Sequence, residues 1–248
     1  MKRKRELRKS PTRYWGDFIF REARLSEAEE IVELEQSVWG ESSAANLVKI
    51  VSRMKVFPRG NFVAIYQKKI VAYVCIEYVD DLRGTNDNWS SITDYGYIKK
   101  SHKNEAEYVY GVNLSVHHLV SGYNIGNKMV LSGFLIAIMD NKKGGFIGSR
   151  LPTYASYKKH HPEVSAEDYI NVKRNGRRRD YELAMYESEG FEIVNVMPNY
   201  FPDPKSLDYG VLIYWKNPFY NWPFKKLIAN IVWKKSNFLF KKQKNEST

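Results

Sequence analysis

The chain has 248 residues, 43% of them hydrophobic, with a formal net charge of +11 at pH 7 and one cysteine. That length buries one large core or two small ones, and no run approaches the roughly 18 uninterrupted apolar residues that a membrane-spanning helix needs. Cys75, inside VAYVCIEYV, excludes an internal disulfide and reads as a small packed apolar group.

The start, MKRKRELRKSPTRYW, is basic but leads into no apolar signal core, so the expected location is the cytoplasm. Residues 1–16 read as a basic arm, 17–217 as one domain, and 218–248 as a basic, partly amphipathic tail. In the domain FIFREA (18–23) reads as a strand, and Ser26 followed by Glu29 reads as a capping box opening a helix to about Val38. A second helix is expected near 43–54. NFVAIYQ and KIVAYVCIEYV form a hairpin across Lys68-Lys69. Residues 81–107 read as a long polar loop, followed by the strand YVYGVNLSV.

After a glycine-bearing turn, IGNKMVLSGFLIAIM carries the apolar pattern of a largely buried helix. GFIGSR is a short strand, and 150–178 a basic irregular insertion. RDYELAMYESE is a helix, and GFEIVNVMP and YGVLIYWKN are the last strands. The order gives an α/β (α+β) fold with one mixed central sheet of about seven strands flanked by helices.

The charge excess is concentrated at the two ends, where the tail carries Lys225, Lys226, Lys234, Lys235, Lys241, Lys242 and Lys244. Such blocks read first as solvated arms. Otherwise they would attract an acidic carrier protein or an anionic membrane surface, the latter through a stripe of Phe224, Leu227, Ile228, Ile231 and Val232. A helix docked on the domain or on a second subunit is the preferred account of that stripe, so monomer and homodimer both stand. There is no zinc-finger spacing and no paired aromatic signature of an RNA-binding sheet, so no nucleic acid is expected. His160-His161 lacks further ligands at metal spacing, and no metal is expected.

The stretch NLSVHHLVSGYNIGNKMV (113–130) carries the most chemistry. A strand that turns through Ser121-Gly122-Tyr123-Asn124-Ile125-Gly126-Asn127 into a helix leaves several N–H groups unpaired and pointing one way. Gly122 and Gly126 leave room for an approaching group, and Asn124 tolerates a left-handed conformation. Such a turn is either an ordinary strand-to-helix connection or an anion site, with pyrophosphate the commonest large occupant. No Gly-Lys-Ser/Thr follows, and no acidic ribose partner, which excludes a Walker loop and a dinucleotide fingerprint.

LSVHHLVSGYNIGNKMV resembles the acetyl-CoA-binding segment of the GCN5-related N-acetyltransferase (GNAT) family, with Leu114, Val116, Gly122, Ile125 and Gly126 on matching positions. It departs at His118, Ser121 and Asn124, where the family has proline, arginine or glutamine, and glycine. Downstream, AMYESEGFE resembles the family's A-x-x-Y-E-K-x-G-F stretch through Tyr186, Glu187, Gly190 and Phe191. The C-terminal half is also similar to the GNAT-like domain fused to carbon–nitrogen hydrolases. The resemblance implies a sheet splayed after its fourth strand and acetyl-CoA as co-substrate. It places the pyrophosphate over Ser121 to Asn127 and the pantetheine along the backbone of Leu114 and Val116. It further implies direct attack by a small-molecule amine, a backbone donor such as the N–H of Val116 for the developing negative charge, and Tyr186 as general acid.

For the general base, Glu77 on the central strand is the candidate, with Asp80 and Asp81 behind it; its other reading is a solvated strand residue. His117 and His118, being adjacent on a strand, would face opposite sides. Loop 81–107 and the insertion, with Arg150, Lys158, Lys159, Lys173, Arg174 and Arg177 to Arg179, would frame the acceptor and suit a carboxylate or phosphate, unless they are a solvated face. Within this fold the alternatives are a longer acyl-CoA or carrier-protein donor, and a non-catalytic CoA-binding module.

Overall fold

The computed structural model describes residues 12–245, with side chains to 235; the basic residues 1–11 and the side chains of Lys241, Lys242 and Lys244 lie outside that description. β1 (Arg13–Trp15) and β2 (Phe18–Glu22) form a tight hairpin. The next segment, Leu25–Glu27, is a single 3-10 turn, and the Glu27 carboxylate takes the Arg24 N–H at 2.8 Å. The expected Ser26/Glu29 box is therefore displaced by Glu27, and α1 (Ala28–Trp39) starts after it. α1 buries Ala28, Ile31, Leu34 and Glu35 on one stripe. α2 (Leu47–Val56) opens where Asn46 Oδ1 accepts the Lys49 N–H at 3.0 Å.

β3 (Asn61–Tyr66) and β4 (Lys69–Val79) pair across Gln67-Lys68, both at positive φ, the backbone that suits a two-residue hairpin. The polar segment that follows contains a short helix, α3 (Trp89–Ile92), whose Trp89 N–H is tied to Tyr200 O at 2.9 Å. β5 (Tyr108–Val116) leads through the glycine turn into α4 (Ile125–Met139), and β6 (Gly144–Arg150) follows.

The insertion is more regular than expected. It folds as α5 (Tyr154–Lys158), α6 (Ala166–Tyr169) and a ribbon of β7 (Lys173–Arg174) and β8 (Arg177–Arg178) around Asn175-Gly176. α7 (Tyr181–Ser188), β9 (Glu192–Met197), β10 (Gly210–Lys216) and α8 (Lys225–Asn245) complete the described chain.

Among the described residues the main sheet has eight strands in the order β1-β2-β3-β4-β5-β6-β10-β9, and the only parallel pair in it is β5 with β6. The seven expected strands are present and β1 is the eighth. α4 covers one face, packed on β3, β4 and β5, and α1 packs the opposite face of β4 and β5 with α2 beside it. α8 lies on α4, burying Ala229 and Trp233, whose ring meets Phe20 at 5.3 Å. The apolar stripe expected of the tail therefore splits: Ile228 and Val232 turn toward the domain, while Phe224, Leu227 and Ile231 stay exposed. Among the described residues no helix is long and apolar enough to cross a membrane.

Candidate functional site

The parallel strands β5 and β6 pair from Tyr108↔Gly144 to Gly111↔Ile147 and then part, so residues 112–116 have a neighbour on the β4 side only. The sheet splays after β5, the fourth strand once β1 is set aside. In the ladder with β4, the His117 N–H donates to Val71 O at 2.8 Å. Since backbone groups alternate sides along a strand, the N–H and C=O of Leu114 and Val116 face the gap left by β6. That gap is an internal sheet edge, the geometry that an extended chain joins as an added strand. A bulge between Cys75 and Ile76 leaves Val112 as the extra residue, and its carbonyl accepts Trp89 Nε1 at 2.9 Å.

The turn beyond β5 meets the expectation for its backbone. Gly122 has φ +83° and Asn124 φ +54°, and α4 begins at Ile125 without a side-chain cap. The N–H groups of Gly122, Asn124, Ile125, Gly126 and Asn127 find no acceptor among the described residues. Gly126 stands at the head of the cleft, and a Cβ there would meet only Met185 Sδ at 3.8 Å. Ser121, Gly122, Tyr123 and Asn124 are exposed around this positive helix end. Ile125 faces the core, and Asn127 Nδ2 donates to Glu189 Oε1 at 2.6 Å.

A cavity of about 690 Å³ runs through the splay and reaches both faces of the sheet. On the α4 face its walls are Leu114, Val116, Val130, Phe134 and Met185, and it continues past Val109, Gly133 and Ala137 to Gly145. Tyr186 of α7 lines the same cavity; its ring packs edge-on to Phe191 and its hydroxyl has no hydrogen-bond partner among the described residues. Burial, then the nearby Glu182, pushes the Tyr186 hydroxyl above the usual phenol range, so it holds its proton at neutral pH. Arg150 lies over the Trp39 ring at 4.6 Å, but it donates to Glu182 at 2.6 Å and reaches Asp203 at 3.5 Å. Its charge is already met, and Arg178 is likewise paired with Glu187. The insertion thus offers a cleft anion less than its composition suggested.

On the α1/α2 face the cavity is aromatic and charged. Trp39, Trp89, Tyr200 and Phe201 line it, and the Tyr110 and Tyr200 hydroxyls meet at 2.5 Å across the splay. Glu35 of α1 also lines it: Oε1 accepts Asn113 Nδ2 at 2.7 Å and Ser115 Oγ at 2.5 Å, and Trp39 Nε1 donates to Ser115 Oγ at 2.7 Å. Lys49 and Arg53 of α2 complete this wall.

Glu77 is on the same face of the sheet yet outside the cavity wall. It is fully buried, Ser101 Oγ donates to its Oε2 at 2.6 Å, and its Oε1 has no partner among the described residues. Burial pushes its carboxyl up to about 8, against the pull of Ser101 and Arg53. It is thus not the solvated strand residue, and it does not line this cavity. His117 closes its own turn by accepting the Leu119 N–H at 3.2 Å and stacks on His118 outside the cavity.

Sequence reasoning missed Glu35 and Arg53. The available signal was a charge inside an apolar stripe: Ala28, Ile31, Leu34, Glu35 on one helix and Ile50, Arg53, Met54 on the next.

No protein-family model matches the chain. Among curated proteins it is 30% identical over 187 residues to the uncharacterized N-acetyltransferase YkwB of Bacillus subtilis strain 168, covering 75% of this chain and 78% of YkwB. It is 26% identical over 208 residues to the probable hydrolase YhcX of the same organism, covering 83% of this chain but only 40% of YhcX. Among solved structures it is similar to the loading GNATL domain of CurA from Lyngbya majuscula, with TM-score 0.71, 19% identity, and 81% and 98% of the two chains covered. It is also similar to the GphF GNAT-like decarboxylase in complex with isobutyryl-CoA, with TM-score 0.69, 20% identity, and 80% and 98% covered. At that identity these two likenesses concern the fold.

Proposed function

The chain belongs to the GCN5-related N-acetyltransferase superfamily, and on that premise we propose that it transfers an acetyl group from acetyl-CoA to a primary amine of a small molecule by direct attack. The observation that carries this reading is the continuity of one cavity from Gly126, at the turn with free N–H groups, through the splay to Tyr186 and the acceptor wall. The residues present fit the co-substrate. The turn supplies the N–H donors for a pyrophosphate, and Leu114 and Val116 supply the edge that a pantetheine amide would join.

In this reading Tyr186, protonated and without another partner among the described residues, gives its proton to the departing thiolate. The backbone N–H groups of the open edge, at Val116 and at the Val112 bulge, are the donors for the charge that develops on the thioester oxygen. Glu35, in the acceptor wall, takes the base role first assigned to Glu77, and Asn113 and Ser115 hold it in place. A second reading, a longer acyl donor, is favoured by the apolar end of the cavity at Val109, Gly133, Ala137 and Gly145, which extends beyond what acetyl fills. The cytoplasm, where acyl-CoA is made, is the location that suits either donor.

The test is to incubate the protein with acetyl-CoA and a panel of primary amines, following free thiol release and product mass. Amine-dependent release with an acetylated product supports the reading. Acetyl-CoA that binds but is never consumed would mark a non-catalytic CoA-binding module.

A further inference from the structure

Two cations stand side by side in the acceptor wall. Lys49 and Arg53 lie one turn apart on α2, and both line the cavity. Like charges at that spacing repel along a helix. Arg53 is only 1% exposed; its Nε donates to Gly96 O at 2.7 Å, while Nη1 is shut off from solvent without an acceptor among the described residues. A buried guanidinium in that condition is costly unless an anion compensates it.

The two acids nearby leave that Nη1 donor unmet. Glu35 is engaged by Asn113 and Ser115, and Glu77 is protonated through most of the neutral range and bonded to Ser101. Neither hydrogen-bonds to Nη1, although the Glu35 charge lies near enough to favour the guanidinium. Burial and then the Arg53 charge push the Lys49 ammonium below its ordinary range, as expected where a second positive group awaits a counter-charge. The other arginine of the cleft, Arg150, already has Glu182 and Asp203.

We infer that the acceptor end of the cleft binds a carboxylate between the Lys49 ammonium and the Arg53 guanidinium, with Trp39 and Trp89 against the body of the molecule that carries it. A guanidinium matches a carboxylate through two parallel N–H donors, and the adjacent lysine adds a point charge. The inference deepens the acyl-transfer reading and rests on it. Two molecules could bring the group: an amino acid acceptor, whose ammonium would face Glu35, or a thioester donor whose acyl chain ends in a carboxylate.

Matched-pair calorimetry on the full chain separates these sources. One arm titrates proteinogenic amino acids against their carboxamides, with and without CoA; the other compares succinyl-CoA with butyryl-CoA. In one arm the carboxylated member binds about 10- to 100-fold tighter than its neutral analogue, the range of a charge-assisted hydrogen-bond pair, and that arm identifies the carrier. Lys49→Met and Arg53→Met each reduce the preference severalfold. Lys49 is partly exposed, so its variant stays informative even if Arg53→Met does not fold. Equal affinities in both arms, or a preference unchanged in Lys49→Met, would overturn the inference. If acetyl-CoA itself does not bind, the acyl-transfer reading falls, while the amino acid arm without CoA still reads the carboxylate site.

Discussion

Replacing Glu77 with Gln should make the protein more stable, increasingly so as pH rises. The carboxyl lies at 0% exposure on β4, one oxygen bonded to Ser101 Oγ and the other without a partner among the described residues. Burial raises it from 4.5 to about 8. Because the folded pKa is raised, stability is fully present below the unfolded value and is lost as pH rises through the folded one. At about 1.4 kcal/mol for each pH unit between the two values, the loss approaches 4 to 5 kcal/mol above about pH 8. Gln keeps an acceptor for Ser101 and does not titrate. The stability difference, variant minus wild type, should therefore grow by about 4 kcal/mol between about pH 5 and pH 9. Urea unfolding across that range measures it, and groups unaffected by the substitution cancel in the difference. A stability difference that does not change with pH would refute the reasoning, because the carboxyl would then titrate as it does in the unfolded chain.

Three further outcomes are expected. Tyr186→Phe removes a hydroxyl that bonds to nothing else described, so kcat for acetyl transfer should fall about 100-fold with acetyl-CoA affinity little changed; unaltered kcat would remove Tyr186 from the acid role. Gly148→Ala would place a Cβ 1.9 Å from Tyr200 Oη, so it should destabilise by about 1–3 kcal/mol and raise KM for the amine more than for acetyl-CoA. Trp233→Ala should cost about 3–5 kcal/mol in urea unfolding if α8 is docked on α4; a loss below about 1 kcal/mol would mean the helix is not held there.

The sheet was legible because its strands are β-branched and aromatic runs punctuated by glycine, asparagine and lysine turns, and because LSVHHLVSGYNIG and AMYESEGF fall at spacings a known family shares. The three-residue β1 was too short for alternation to show. The β7–β8 ribbon carried its Asn-Gly signal within a basic segment read as irregular. Glu77 could be placed on its strand, but parity along a strand does not say how deep a side chain lies. That depth depends on α2 and the 81–107 segment, whose Arg53 and Ser101 surround it. Glu35 and Arg53 come from two helices and meet only once both are laid on the same face of the sheet. Cavity walls built from such distant segments leave no local pattern beyond one misplaced charge in an apolar stripe.

Calorimetric titration of acetyl-CoA into the wild-type protein and into Gly126→Glu tests the central claim most directly. A Cβ at this position meets only Met185 Sδ at 3.8 Å, so the fold has room for the substitution, while the new carboxylate stands where the pyrophosphate would lie. The expected result is saturable 1:1 binding to the wild type and loss of at least about 100-fold in affinity in the variant, equivalent to about 2.8 kcal/mol. No binding to the wild type, or equal binding by both proteins, would contradict a CoA site at the head of α4.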